Sequence, residues 1–355
     1  MVDGLKGVTS KNLARLDRRD HEARLADLGA LSSGILLREA KSGKSQQMNS
    51  PHRNRGLKRL LRSEVNIACV LLSTCVLLHA QSAPSLNDTA RLLAGLPVNG
   101  ALAPFMQSAG WQAHAAAMDN AWKTKDYFQL GPIATWMNSH APEYHHSTGT
   151  VYYMFSGPDF LYAGAFFPDA STYILAGLEP IGQVPDLSRM SPETLNGNLS
   201  TLRNSMSTLL ITHYFVTEEM KSELGRGSLS GTIPIFYVFL ARLGCTVLDT
   251  TYVHSPAEGV KISFNRGGRT QALYYFRTDL SGGGSSFLRW CGNHGVGVSL
   301  IKAASYLMHG EGFSGVRNFL LDHSAFLVQD DSGIPLRAFG KNWTLKANNS
   351  YKFSC

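Results

Sequence analysis

The stretch YMFSGPDFLYAGAFFP, Tyr153–Pro168, decides the fold. An apolar run ends in Ser-Gly-Pro-Asp and a second apolar run follows. Gly and Pro interrupt regular structure, so the stretch reads as a strand that turns sharply, exposes an acid and enters a helix. Thr150–Phe155 is then a strand, Phe160–Phe167 a helix, and STYILAGLEP (Ser171–Pro180) a second strand. Downstream, Cys245–Val253 reads as a third strand. Lys261–Phe264 and Gln271–Arg277 flank Asn-Arg-Gly-Gly, a hairpin signal. Ser191-Pro192-Glu193 opens a helix with a capping serine and Pro at the first position. Further helices are expected at Ser207–Leu224, from Thr232 to Gly244, and near Ser299–Met308 and Ser314–Leu321, before a strand at Ala325–Gln329.

Upstream, the chain from Asp88 to about Asn138 reads as helical. AGWQAHAAAMDNAWKT (Ala109–Thr124) sets Trp111, Ala115, Met118 and Trp122 on one face. Strands separated by helices predict an α/β fold. Its sheet is mostly parallel and flanked by helices on both faces, with one antiparallel hairpin and a helical N-terminal extension.

The net charge of +7 is not spread evenly. Residues 1–80 hold 14 Lys/Arg against 7 Asp/Glu, which leaves 19 of each beyond residue 80. A neutral body has no net field to draw in a phosphate backbone, so no nucleic-acid partner is expected. The basic surplus has another use. Arg53, Arg55, Lys58, Arg59 and Arg62 precede the uncharged run NIACVLLSTCVLLHA (Asn66–Ala80), followed by QSAPS. That is the layout of a secretory signal peptide cleaved after Ala80. The run is shorter than the ~20 residues of a spanning helix, so stable membrane insertion is not expected after cleavage. Met48 stands just before the basic stretch. Three regions follow: 1–47 as a mis-assigned extension or a tail, 48–80 as the signal peptide, and 81–355 as one α/β domain. Within that domain 88–147 is the helical part and 148–355 the α/β part. The expected location is exported, periplasmic or secreted. Of the cysteines beyond residue 80, Cys245 is expected buried and inert, and Cys291 with Cys355 is the more accessible pair.

In open parallel sheets, ligands bind outside the carboxyl ends of the strands. The residues just past each strand are Ser156 and Asp159, then Glu179, then Arg277 and Asp279, then Asp330 and Asp331. Asp159, Glu179 and Asp330 are the candidate catalytic carboxylates, because clustered acids can divide acid and base roles. Ser156, Arg277, Asp279 and Asp331 are candidate ligand-binding residues. Each also has a plainer reading. Asp159 stands where a helix N-cap belongs, and Asp330-Asp331-Ser332-Gly333 is turn chemistry. Glu179, straight after YILAGL, is expected near-buried and paired, with Arg277 as its natural partner.

HAPEYHH (His140–His146) lacks the spacing of a helical zinc motif, and no metal or cofactor is expected. In WCGNHGVGVS (Trp290–Ser299) a Cys and a His stand close in sequence, after the Gly-rich SGGGSS (Ser281–Ser286). The glycines match no nucleotide-binding pattern and read as a flexible loop over the site.

YMFSGPDFLYA, FFPDASTYILAGLEPIG and LVQDDSGIP together resemble a group of exported bacterial proteins of uncharacterised function, over about Trp111–Trp343. The resemblance implies a secreted or periplasmic protein and no catalytic residue. The functional expectation is a ligand-binding protein, for a small-molecule or envelope-associated ligand, with its site at the strand C-terminal ends. The alternative is an exported hydrolase using Asp159, Glu179 and Asp330.

Overall fold

A computed structural model describes residues 84–212, 224, 227–283, 285–302 and 310–330. The expected signal peptide, Asp331, Cys355 and most of the predicted helix Ser207–Leu224 lie outside these residues. The described residues belong to one compact unit.

Its centre is a seven-stranded sheet: β1 (Thr150–Tyr153), β2 (Thr172–Gly177), β3 (Thr246–Val253), β4 (Gly259–Arg266), β5 (Arg269–Arg277), β6 (Gly297–Lys302) and β7 (Ser324–Asp330). The order across the sheet is β3-β4-β5-β2-β1-β6-β7. β1 pairs in parallel with β2 and β6, β2 with β5, and β6 with β7. Only β4 runs the other way, antiparallel to both β3 and β5. The β4–β5 turn uses Gly267 and Gly268 at φ 57° and 81°. Two positive φ values in a row fit the right-handed twist of a tight hairpin, and glycine adopts them without a Cβ clash. The predicted mostly parallel sheet is present, with β4 as its one reversed strand.

Helices cover both faces, as both-sided burial of parallel strands requires. On one face Val151, Tyr153, Tyr173, Leu175, Leu273 and Tyr275 form the larger core. They pack with α1 (Leu86–Leu93), α2 (Ala109–Lys125), α3 (Gly131–His140), α5 (Phe160–Phe166), α6 (Pro192–Thr212) and α7 (Ile233–Arg242). The short α4 spans Pro142–His145. α7 is buried on every side from Ile233 to Ala241, which its unbroken apolar sequence allows. On the other face Tyr152, Met154, Ile174, Ala176, Phe276 and Ile301 meet α8 (Ser285–Gly292) and α9 (Ser314–His323). Each large apolar side chain removed from water there contributes roughly 1.5–3 kcal/mol.

One element differs in kind from the sequence expectation. Ser299–Met308 was expected to be helical, yet Gly297–Lys302 is the strand β6, buried at every position. A strand covered on both faces loses its alternation, so apolar periodicity cannot separate it from a buried helix.

The crossovers define a switch in the sheet's winding. β1 connects to β2 through α5 on the larger-core face, whereas β6 connects onward to β7 through α9 on the other face. β1 and β6 are neighbours. Their connections diverge to opposite faces, which makes the carboxyl ends of β1 and β6 the topological switch point of the sheet.

Candidate functional site

The turn after β1 is tightly set. Phe155, a residue with a Cβ, takes φ 61°, and Gly157 takes φ 53°. A bulky residue in the left-handed region is costly and persists only where its surroundings dictate it. Ser156 is the anchor: its N–H donates to the Ala176 carbonyl at 2.9 Å, and its hydroxyl lies 3.2 Å from the same oxygen and 2.9 Å from the Gly157 carbonyl. Ser156 is thus buried and holds the turn to β2. Asp159 then starts α5. Its Oδ1 accepts from the Tyr162 N–H at 3.2 Å, and its Oδ2 accepts from the Tyr153 hydroxyl at 2.8 Å. Capping is present as read from the sequence, and the carboxylate is 2% exposed.

Glu179, 1% exposed, lies past the end of β2. Its Oε2 accepts from the Leu178 N–H at 3.0 Å and from the Tyr275 hydroxyl at 3.2 Å, which also lies 3.0 Å from the Glu179 carbonyl. The expected partner Arg277 is instead exposed at the end of β5, opposite Gly177 in register. Tyr275 and Arg277 share a face of β5, but Arg277 is the strand's last residue and is exposed there. Burial, then the Glu179 charge, holds the Tyr275 phenol well above its ordinary range. Two glycines make room for the carboxylate. A Cβ on Gly177 would stand 2.4 Å from Glu179 Oε2, and one on Gly157 would stand 3.3 Å from both carboxylate oxygens.

At the switch point lies a group that the sequence reading passed over. α2 ends in a wide turn, Asp126–Leu130, where the Gly131 N–H reaches back five residues to the Asp126 carbonyl. Pro132 follows; its ring crowds the carbonyl four residues back and it has no N–H, so the helix widens ahead of it. The turn sets Lys125 and Gln129 inward and leaves Tyr127 and Phe128 exposed. Lys125 Nζ donates to Gln129 Oε1 at 3.0 Å and to the Leu209 carbonyl at 3.0 Å, and stands 3.5 Å from the Tyr162 hydroxyl. That hydroxyl donates to Gln129 Oε1. From the other side Lys302, the last residue of β6, places Nζ 4.3 Å from the centre of the Tyr162 ring; Lys125 Nζ is 5.9 Å from it. Both lysines are buried. Burial, then the Lys302 charge, pulls the Lys125 ammonium down to about 7, against an opposing pull from Asp159.

The remaining candidates scatter. Asp279 is exposed; its Oδ1 accepts from the Ser281 N–H at 2.8 Å, which together with the hydrogen bond to that serine holds its carboxyl below the usual range. Asp330 stands opposite Lys302 in the β6–β7 ladder. β7 is three strand spacings from β2, about 14 Å, so the ends carrying Asp330 and Glu179 do not meet at one point. Asp159 and Glu179 belong to neighbouring strand ends. Ser281–Gly283 forms a short 3-10 turn after β5, at the same edge.

Cys291 and His294 lie elsewhere. The Tyr152 hydroxyl bonds the Cys291 carbonyl at 3.1 Å and the Gly295 carbonyl at 2.6 Å, ahead of β6, at the amino end of the parallel strands. Cys291 is a buried free thiol, not the accessible member of a pair, and burial pushes it far up. His145 Nδ1 is 2.7 Å from the Phe166 carbonyl, and His146 lies between Asp169 and Asn138. Among the described residues no cluster of three or more His, Cys, Asp or Glu could hold a metal ion. A shallow groove opens along α3, lined by Gly131, Pro132, Thr135, Trp136, Ser139 and His140. It holds none of the buried charges found at the strand ends.

Two missed residues had a signal. Lys125 continues the Trp111–Met118–Trp122 stripe at helical spacing. Lys302 is the single cation closing the apolar run VGVSLI. Gln129 and Tyr162 had none, because the wide turn and the α5 orientation arise from tertiary packing.

No protein-family model, no curated protein and no solved structure matches the chain. No described helix is long and apolar enough to cross a membrane.

Proposed function

We propose that this is an exported ligand-binding protein whose ligand enters the crevice at the carboxyl ends of β1 and β6. The observation that carries this reading is the coincidence of the switch point with buried charged side chains, Lys125, Asp159 and Lys302, on three different elements. Burying charged groups is costly even when they are hydrogen-bonded, and such groups gather where a fold serves a ligand. Export is supported by the basic stretch Arg53–Arg62 ahead of Asn66–Ala80. On this reading the helices ahead of β1 are an extension packed on the α/β domain, and they supply Lys125.

The test is native mass spectrometry of the purified protein for a retained small molecule. A thermal-shift panel of amino acids, sugars, carboxylates and phosphate esters accompanies it. At least one compound should raise the midpoint by mass action, and Tyr162→Ala should remove the effect while the protein still unfolds cooperatively. A panel without a hit, or a hit indifferent to Tyr162, overturns the reading. For export, the mature N-terminus should be Gln81; a native protein beginning at Met1 or Met48 counts against it.

The hydrolase alternative draws on Asp159 and Glu179, two buried carboxylates at adjacent strand ends. Each already accepts from a tyrosine hydroxyl and a backbone N–H. Those contacts occupy both carboxylates as fixed hydrogen-bond acceptors within the fold. Turnover abolished by Asp159→Asn and Glu179→Gln in folded protein would restore the enzyme reading.

A further inference from the structure

We infer that the connection from α5 to β2, Gly164–Asp169, is an acid-operated catch, held closed while the His145 ring is neutral and opened when that ring takes a second proton. The inference concerns the amino ends of the parallel strands and stands apart from the ligand reading above.

The last carbonyls of a helix have no partner within it. In α5 the shortage is sharpened by Pro168, which has no N–H to return to the Gly164 carbonyl four residues back. Side chains supply the missing donors. Arg266 Nη1, at the end of β4, donates to the Gly164 carbonyl at 2.8 Å. His145 Nδ1 donates to the Phe166 carbonyl at 2.7 Å, the Tyr173 hydroxyl to the Phe167 carbonyl, and Gln271 Nε2 to the Pro168 carbonyl at 3.0 Å. The Asp169 carboxylate takes His146 on one oxygen, at 2.7 Å, and Arg269 on the other. The connection is thus clamped by side chains from α4 and the residue after it, and from β2, β4 and β5.

Charge gathers unevenly at this clamp. His145 is buried, its ring 4.8 Å from that of His146, and Arg266 acts on it from β4. Asp169 is the described carboxylate that acts on His145, and it is already shared between His146 and Arg269. Tyr173, the titratable group that β2 presents here, is pushed far up by burial and stays neutral. His145 needs only its Nδ1 proton to hold Phe166. A second proton would set a buried charge beside another histidine and an arginine. Burial is the main cause that lowers its affinity for that proton; His146 and Arg266 act in the same direction, against the Phe166 carbonyl and Asp169.

Opening the connection lets the ring into water, where it binds the proton more readily. The closed form is therefore favoured above the ordinary value of 6.5 and loses ground as the pH falls below it. The catch reaches beyond its own residues because α5 is only seven residues long and starts from the Asp159 cap. Its last turn and its first are about two turns apart, so loosening one end disturbs the other.

The experiment is hydrogen–deuterium exchange of the full chain by mass spectrometry, at about pH 7.5 and about pH 5, with labelling times scaled for the intrinsic effect of pH on exchange. Peptides covering Phe160–Thr172 should open about tenfold or more in acid relative to neutral pH, while α7, Ile233–Arg242, stays protected at both. His145→Asn offers an amide N–H to the Phe166 carbonyl without taking up a proton, and should abolish the acid opening. His114→Gln, which alters a different buried histidine, should leave it in place. NMR of the imidazole signals in the parent needs no variant: proton uptake by His145 and the opening should share one midpoint. Equal protection at both pH values, an opening that persists in His145→Asn, separate midpoints for uptake and opening, or α7 opening in step with the connection would each overturn the inference.

Discussion

Tyr275 on β5 reaches across the end of β2 to bring its hydroxyl within 3.2 Å of Glu179 Oε2 and 3.0 Å of the same residue's carbonyl oxygen. One phenol thus holds both the side chain and the backbone of the residue that ends the second parallel strand. Tyr275→Phe removes a donor from a buried carboxylate without changing shape. It should cost about 1–3 kcal/mol in urea unfolding with an unchanged m-value. A loss of only a few tenths would mean that Glu179 is held by something other than this phenol.

Asp159 should behave as a cap first. Asp159→Ala strips the Tyr162 N–H and the Tyr153 hydroxyl of their acceptor, and should destabilise by about 2 kcal/mol or more. Asp159→Asn keeps an oxygen for the cap and should cost less. If Asn proves as damaging as Ala, the charge itself matters, through its influence on Lys125.

His114 makes stability fall in acid. Its Nε2 donates to the Leu93 carbonyl at 2.8 Å, and Nδ1 faces Arg203 Nη1 at 2.8 Å, so the ring is neutral. Burial is the main cause that lowers it from 6.5 to about 4. Between those values the unfolded chain binds a proton that the folded chain refuses. Stability is therefore full above about 6.5 and declines as the pH falls towards 4, by on the order of 3 kcal/mol at most. His145 and His294, also lowered, act in the same direction, so the readout is a difference. His114→Gln should flatten the unfolding free energy across this window relative to the parent; an identical slope would refute the assignment.

Lys125 predicts a dependence of the same sign at higher pH. With 10.5 as its ordinary value and about 7 when folded, the unfolded chain holds the extra proton between them. Stability should rise with pH from about 7, until the buried tyrosines, shifted upwards, oppose it in stronger alkali. Lys125→Met should be more stable than the parent near pH 7 and lose that slope. A variant less stable than the parent there would show that the ammonium is a net asset to the fold.

Neither core thiol should react in the native state. Burial pushes Cys245 up to about 11 and Cys291 higher still. Peptide mapping after iodoacetamide should find both unmodified until denaturant is added. Rapid native alkylation of Cys291 would put it at an accessible surface after all.

Local chemistry made most of the fold legible. Asp159 caps α5, Ser191 accepts from the Thr194 N–H ahead of α6, and Gly267-Gly268 turns the hairpin. Each depends on neighbours within a few residues. β6 was not legible in this way, because burial on both faces erased its alternation, and the edge of the site went unread with it. The candidate carboxylates Asp159 and Glu179 were found from their position after strands. Their partners Tyr153 and Tyr275 were not, since which tyrosine meets which acid depends on strand order and facing. Sequence holds that information only through long-range pairing.

The strand order also bears on when the protein folds. β1 obtains its second neighbour only from residues 297–302, and β2 its outer neighbour only from 272–277. Nearly the whole chain must be available before the central strands are closed on both sides. Contacts so distant in sequence slow folding. Were the chain exported by the route proposed above, that delay would keep it threadable until its last parallel strands had crossed.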